Sequence, residues 1–238
     1  MYKNLYDQFA HWFHDGKGTV YFYSDPHFND DEMKYLRKNY IGDDEQVRRI
    51  NSKIGKYDTL VILGDVGDIE WIRKIRGYKV LVMGNHDMGA TKYKRQQHLE
   101  FYDAREYTKE TAFTDAKTKY KNWNIQMEYD QGILYPMHIA HCDNGLFDEV
   151  YEGALMIAPN IILSHEPVEF PYAVCFSGHD HSNWNQNSNV INFCAEHINY
   201  TPVALKDIVN SGVLNKVPNI HRATIDHAIE RKEKRKRG

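Results

Sequence analysis

The sequence predicts an α/β fold built on parallel strands, and three observations carry the prediction. Short apolar, β-favouring runs recur along the chain; helically spaced apolar residues separate the first three; and each run stops abruptly at Asp, Asn or His. Continuous apolar runs of this length suit strands buried on both faces. Alternation of strand and helix is the pattern of a sheet covered by helices. In such sheets the reactive crevice lies beyond the carboxyl ends of the strands, which is where the polar clusters fall.

Residues 19–24 (TVYFYS) form the first run and lead into Asp25-Pro26-His27. Residues 28–42 are expected to be a loop and a surface helix. Val47, Ile50 and Ile54 then recur at helical spacing behind Asp43-Asp44-Glu45, an acidic start that suits the positive end of a helix. Residues 59–63 (TLVIL) lead into Gly64-Asp65, and Ile69, Ile72 and Ile75 repeat the helical spacing before Gly77. Residues 79–83 (KVLVM) lead into Gly84-Asn85-His86-Asp87.

Residues 90–131 resist assignment beyond a helix over 92–102. Between Thr91 and Trp123 they hold eight Lys/Arg, five Asp/Glu and seven aromatic residues, which fits either a cap over the site or an exposed elaboration. Residues 160–164 (NIILS) then lead into His165, and residues 173–177 (AVCFS) into Gly178-His179-Asp180-His181. Cys175 and Cys194 are expected on buried strands, as small hydrophobes. Residues 204–209 read as a short helix, and the rest of the C-terminus as peripheral.

Composition narrows the class. With 42% hydrophobic and 26% charged residues in 238, the chain is an ordinary globular protein rather than a disordered one. Its three cysteines show no CxxC or framework spacing, which argues against a disulfide-built secreted domain. No apolar run approaches a membrane span; the most apolar stretch, residues 153–163, contains Pro159 and Asn160. The first residues lack a basic segment followed by an apolar one, so a cytoplasmic protein is expected. No repeat or linker divides the chain, giving one domain over residues 1–230 and a basic tail over 231–238. Residues 231–237 (RKEKRKR) contribute +5 to a net charge of −3. Such a tail is read as a solvated end rather than as a nucleic-acid contact.

Carboxylates and imidazoles are the ligand types that a pair of divalent ions needs, ideally with one carboxylate shared between them. One Asp-x-His or one His carries little information, whereas five such groups after five predicted strands do. In order, Asp25-Pro26-His27, Gly64-Asp65-Val66-Gly67-Asp68, Gly84-Asn85-His86-Asp87, Ser164-His165 and Gly178-His179-Asp180-His181 resemble the motif blocks of the calcineurin-like metallophosphoesterase superfamily.

The resemblance implies a four-layer α/β/β/α sandwich with a dinuclear centre at the strand ends. It implies one ion held by Asp25, His27, Asp65 and His181, and a second held by Asp65, Asn85, His165 and His179, with Asp65 shared. His86 would face the leaving-group oxygen and Asp68 would orient it. The implied activity is hydrolysis of a phosphoric monoester or diester, with hydroxide from a water shared by two divalent ions (Mn, Fe, Zn or Ni) attacking phosphorus. The implied partner is a phosphate ester, a small molecule or nucleotide. A nuclease is an alternative supported only by the basic aromatic segment and the tail, and a non-catalytic scaffold is another.

Ile69 stands where protein Ser/Thr phosphatases of this superfamily carry an arginine, which weakens that substrate class. Asp87 and Asp180 are given supporting roles. His138-Ile139-Ala140-His141-Cys142-Asp143 offers ligand types, but at strand spacing His138 and His141 face opposite sides. His11, His14, His98, His197, His221 and His227 have no supporting pattern.

Overall fold

The computed structural model describes residues 6–14, 16, 18–37, 39–87, 102–119, 125–130, 132–138, 146–182, 189–218 and 220–237. A 3₁₀ helix, Asp7–Phe13, precedes the first strand, β1 (Val20–Tyr23), and a short helix, α1 (Asp31–Leu36), follows it. Asp30 caps α1, its Oδ1 accepting the backbone N–H groups of Glu32 and Met33, an arrangement worth about 1 kcal/mol. The expected helix behind the acidic triplet is α2 (Asp43–Lys53), with Val47 and Ile50 buried. Next come β2 (Thr59–Ile62), a 3₁₀ helix over Ile69–Lys74, and β3 (Tyr78–Val82).

The second helical stretch thus takes a tighter form than an α-helix. Its isoleucines are spaced by three residues, the 3₁₀ period, so they eclipse on one face and bury Ile72.

From residue 102 onward the chain forms β4 (Tyr102–Asp103), α3 (Lys109–Lys119), β5 (Ile125–Asp130) and β6 (Ile133–His138). These make an antiparallel sheet in the order β4-β6-β5, and Ala112 and Ala116 of α3 pack with Tyr102, Met127 and Leu134 in a core of their own. Of the helix expected over 92–102, residues 92–101 lie outside the described residues, and Tyr102 belongs to a strand.

The chain returns as β7 (Glu149–Tyr151), β8 (Leu155–Ala158), β9 (Ile161–Leu163), β10 (Val174–Ser177), β11 (Val190–Asn192) and β12 (Val203–Ala204). The most apolar stretch of the sequence is therefore the β8–β9 hairpin, with Pro159 and Asn160 as its turn. Helix α4 (Leu205–Asn210), a 3₁₀ turn (Val213–Lys216) and α5 (Ile220–Arg237) end the chain. The basic tail is the last part of α5. Its side chains from Arg231 to Lys236 are exposed, as a solvated end requires, but the backbone is helical. Cations at a helix C-terminus complement the helix dipole.

Two sheets face each other. One runs β12-β1-β2-β3-β7, parallel except for β12; the other runs β11-β10-β9-β8, parallel except for β8. Side chains alternate along each strand, so β1 to β3 bury both faces. Tyr23, Leu60, Ile62 and Leu81 pack against Ile50 of α2 and Ile72 of the 3₁₀ helix. Phe22, Val61, Val80 and Val82 pack against Ile161, Leu163, Val174 and Phe176 of the second sheet. This is the expected α/β architecture, with the Asp7–Phe13 helix and α4 adding Phe9, Trp12, Leu205 and Ile208 to the layer between the sheets. No helix among the described residues is long and apolar enough to cross a membrane.

Candidate metal centre

The parallel strands of both sheets present their carboxyl ends together. β1 delivers Asp25 and His27, β2 delivers Asp65, β3 delivers Asn85 and His86, β9 delivers His165, and β10 delivers His179 and His181. Backbone bonds stitch these loops: Asp25 N donates to Gly64 O at 3.1 Å, His27 N to Asp65 O at 3.0 Å, and Gly178 N to His165 O at 2.9 Å. Buried Asp87 joins two more, accepting from Asp65 N at 2.8 Å, Val66 N at 3.1 Å and Gly84 N at 2.9 Å. That is the supporting role expected of it.

The turns are strained where the site is built. Asp25, His27, Asp65 and His179 have φ of 53°, 46°, 52° and 69°. Left-handed backbone costs a non-glycine residue roughly 1–2 kcal/mol, and such residues cluster at functional sites. The motif glycines make room. Gly64 has φ of 90°, and a Cβ on it would overlap His165 Nδ1 and Gly84; a Cβ on Gly178 would overlap Ser24 Oγ and Asp25 Oδ2.

Asp25, His27 and His181 form one cluster. Asp25 Oδ2 accepts from Ser24 Oγ, from His179 N at 3.0 Å and from Cys194 Sγ at 3.3 Å. Asp25 Oδ1 and His27 Nε2 are buried with no hydrogen-bond partner. His181 Nε2 lies 3.5 Å from that Oδ1, and His27 Nε2 lies 3.6 Å from Asp65 Oδ2. Buried polar atoms left bare are costly, so bare atoms converging on one point fit a cation.

Asp65, His165 and His179 form the second cluster. His165 Nε2 is 3.4 Å from Asp65 Oδ2, 2.8 Å from Asn85 Oδ1 and 3.2 Å from His179 Nδ1, and the same Asn85 oxygen is 3.2 Å from His179 Nδ1. Asp65 Oδ1 is occupied by the backbone N–H of His86 at 3.0 Å, which leaves Oδ2 facing both clusters.

Three imidazoles are oriented alike. Nδ1 donates to an acceptor outside the site: His27 to Asp30 Oδ2 at 3.2 Å, His165 to Leu63 O at 2.8 Å, and His181 to Glu196 Oε1 at 2.6 Å. Each Nε2 is thereby turned inward, the tautomer that suits a ligand. Burial disfavours charge on His165 and His181, but the Asp65 and Asp25 carboxylates outweigh it and raise both to about 9. Burial likewise works against the Asp25 carboxylate, yet His181 and His27 hold it well below the usual range.

His86 stands at the rim with its side chain 69% exposed, its Nε2 4.0 Å from Asp65 Oδ2 and its ring edge-on to His27. The expected pairing with Asp68 is not formed. Asp68 instead caps the Ile69–Lys74 helix, its Oδ1 accepting from Glu70 N at 3.1 Å. Asp at the residue before a helix is a strong N-cap, and that local bond occupies its Oδ1.

The carbonyl of Asp180 accepts from Asn192 Nδ2 at 2.8 Å and His197 Nε2 at 3.0 Å, a structural use of both residues. His11, His14 and His227 are exposed, and His98 and the run from Ile139 to Asp143 lie outside the described residues. Cys175 is buried as expected, whereas Cys194 is buried against a polar partner, Asp25. Sequence reasoning missed Asp30, Arg37 and Glu196; Asp30 alone left a signal, as a helix cap next to a motif.

Comparison with known proteins adds the family. The model for calcineurin-like phosphoesterases matches residues 18–197, spanning β1 to the turn after β11. The chain belongs to this family. Calcineurin-like phosphoesterases hydrolyse phosphoesters with the help of metal ions, and the two clusters lie inside the matched region. No curated protein matches the chain. Among solved structures, the chain is similar to a protein of unknown function from Aquifex aeolicus, with 21% identity, a TM-score of 0.47, and coverage of 81% of this chain and 98% of that one.

Proposed function

We propose that the chain is a dinuclear, metal-dependent hydrolase of phosphoric esters. Asp25, His27, Asp65 and His181 would hold one divalent ion, and Asp65, Asn85, His165 and His179 the other. The observation that carries this reading is Asp65 Oδ2, 3.6 Å from His27 Nε2 on one side and 3.4 Å from His165 Nε2 on the other. A single carboxylate oxygen serving both clusters offsets the repulsion between two cations. Mixed oxygen and nitrogen donors accept manganese, iron, zinc or nickel. Bound there, such ions supply Lewis-acid polarisation of the phosphoryl group and a water of lowered pKa.

The chain's own residues do the rest. The stitched loops fix the donors before substrate arrives, so no reorganisation is needed during reaction. His86, exposed beside the shared carboxylate, is placed to donate to the leaving-group oxygen. Asp68 enters only if the exposed His86 ring turns toward it on binding substrate. Ile69 supports a small phosphate ester or nucleotide over a phosphoprotein. A scaffold role fits poorly, since it leaves bare buried acceptors and strained turns without a use.

Elemental analysis of protein supplied with manganese is expected to find two ions per chain; fewer than one favours a scaffold. Turnover is then compared on a nitrophenyl monoester, the bis-nitrophenyl diester, cyclic nucleotides and single-stranded DNA. Hydrolysis of a small ester is expected, and activity confined to DNA would establish the nuclease alternative.

A further inference from the structure

Two residues outside every motif connect the first and last ligand-bearing loops. Arg37, one residue beyond α1, is buried, its side chain only 1% exposed. Its Nη2 donates to Asp25 O and its Nη1 to Pro26 O at 3.3 Å, so the guanidinium grips the backbone of the turn whose flanking residues, Asp25 and His27, have positive φ. Its Nε faces Glu196 Oε2 at 3.5 Å. The other carboxylate oxygen, Oε1, accepts from His181 Nδ1 at 2.6 Å. Glu196 is itself fixed in the turn after β11, where Ala195 N donates to Ser24 O at 3.0 Å and Arg49 Nη1 donates to Asn199 O at 3.0 Å.

The geometry points to Arg37 and Glu196 as a positioning pair that sets how tightly the Asp25/His27/His181 cluster holds its ion, and leaves the Asp65/Asn85/His165/His179 cluster unaffected. The inference rests on the dinuclear reading above. Glu196 fixes which nitrogen of His181 is free and where it points, and makes the ring a stronger donor. Arg37 holds the strained turn that carries Asp25 and His27, and its buried charge is balanced by Glu196. An ammonium in its place would keep the charge but lose the forked contact to two carbonyls. The second cluster does not touch this pair: His165 is oriented by Leu63 O, and Asp65 by His86 N and Asp87.

The test is manganese binding by calorimetry, with electron paramagnetic resonance at two equivalents of metal, on wild type and on Glu196→Ala, Glu196→Gln and Arg37→Lys. Wild type is expected to show two binding steps and the signal of a spin-coupled pair. In Glu196→Ala one step should weaken by about 10–100-fold while the other is unchanged, and the coupled signal should give way to that of a single ion. Glu196→Gln keeps the side-chain volume and an acceptor for Nδ1, so a smaller loss on the same step is expected, and Arg37→Lys should weaken that step too. If Glu196→Ala does not fold, these two milder variants decide the matter. Equal weakening of both steps, or two untouched steps, overturns the pair's role. A wild type that never takes a second ion overturns the dinuclear reading, and this inference with it.

Discussion

At the scale of single residues, the first cluster holds two bare buried atoms, Asp25 Oδ1 and His27 Nε2, whose neighbours have been used up. Asp25 spends Oδ2 on three donors and keeps Oδ1 free, whereas Asp65 spends Oδ1 on a backbone N–H and turns Oδ2 toward His27 and His165. His86 is different, a ring 69% exposed at the rim with Nε2 4.0 Å from Asp65 Oδ2. His86→Ala is therefore expected to keep full manganese stoichiometry while turnover falls by about 10²–10³, the loss typical of one electrostatic group. Unchanged turnover in that variant excludes the leaving-group role.

In the dinuclear reading, protons and metal ions compete for the same nitrogens. His165 and His181 are raised from 6.5 to about 9 without metal, so their charged forms stabilise the metal-free fold fully below pH 6.5. That contribution is lost as pH rises through about 9. The unfolding midpoint of metal-free protein should fall across this window. Metal affinity should rise over the same range, with proton release measurable by calorimetry in buffers of different ionisation enthalpy.

At the scale of elements, turns matter more than strands. The strands need only be apolar on both faces, but the turns after β1, β2 and β10 pass through backbone that side chains rarely adopt. Gly178 gives the β10 turn room to lie against Ser24 and Asp25. Gly178→Ala should cost about 1–3 kcal/mol in urea denaturation, by overpacking, and weaken manganese binding. The 3₁₀ form over Ile69–Lys74 shows that three-residue spacing carries information that a general helical reading discards: it selects the tighter helix and lets Asp68 act as its cap.

At the scale of the whole molecule, the two-sheet framework and its additions separate. Strands β4, β5 and β6 and helix α3 form a sheet and a helix with their own apolar core, inserted between β3 and β7. The basic end is a helix with exposed side chains rather than part of the framework. Removing residues 231–238 should leave the unfolding midpoint and turnover of a small ester unchanged, measured by thermal melting and nitrophenyl ester hydrolysis. A marked loss of either would give the tail a structural or catalytic part.

The sequence by itself determined the five buried strands, the helix over Asp43–Lys53 and the polar residues at the strand ends, because apolar periodicity and the sharp stop of each run are local signals. It could not determine that Asp68 turns to its own helix rather than to His86, or that β4, α3, β5 and β6 build a separate core, since competing bonds and long-range pairing decide both. Nor could it single out Arg37 and Glu196. An arginine and a glutamate are unremarkable in sequence, and only folding brings residues 159 positions apart to opposite ends of one buried ion pair.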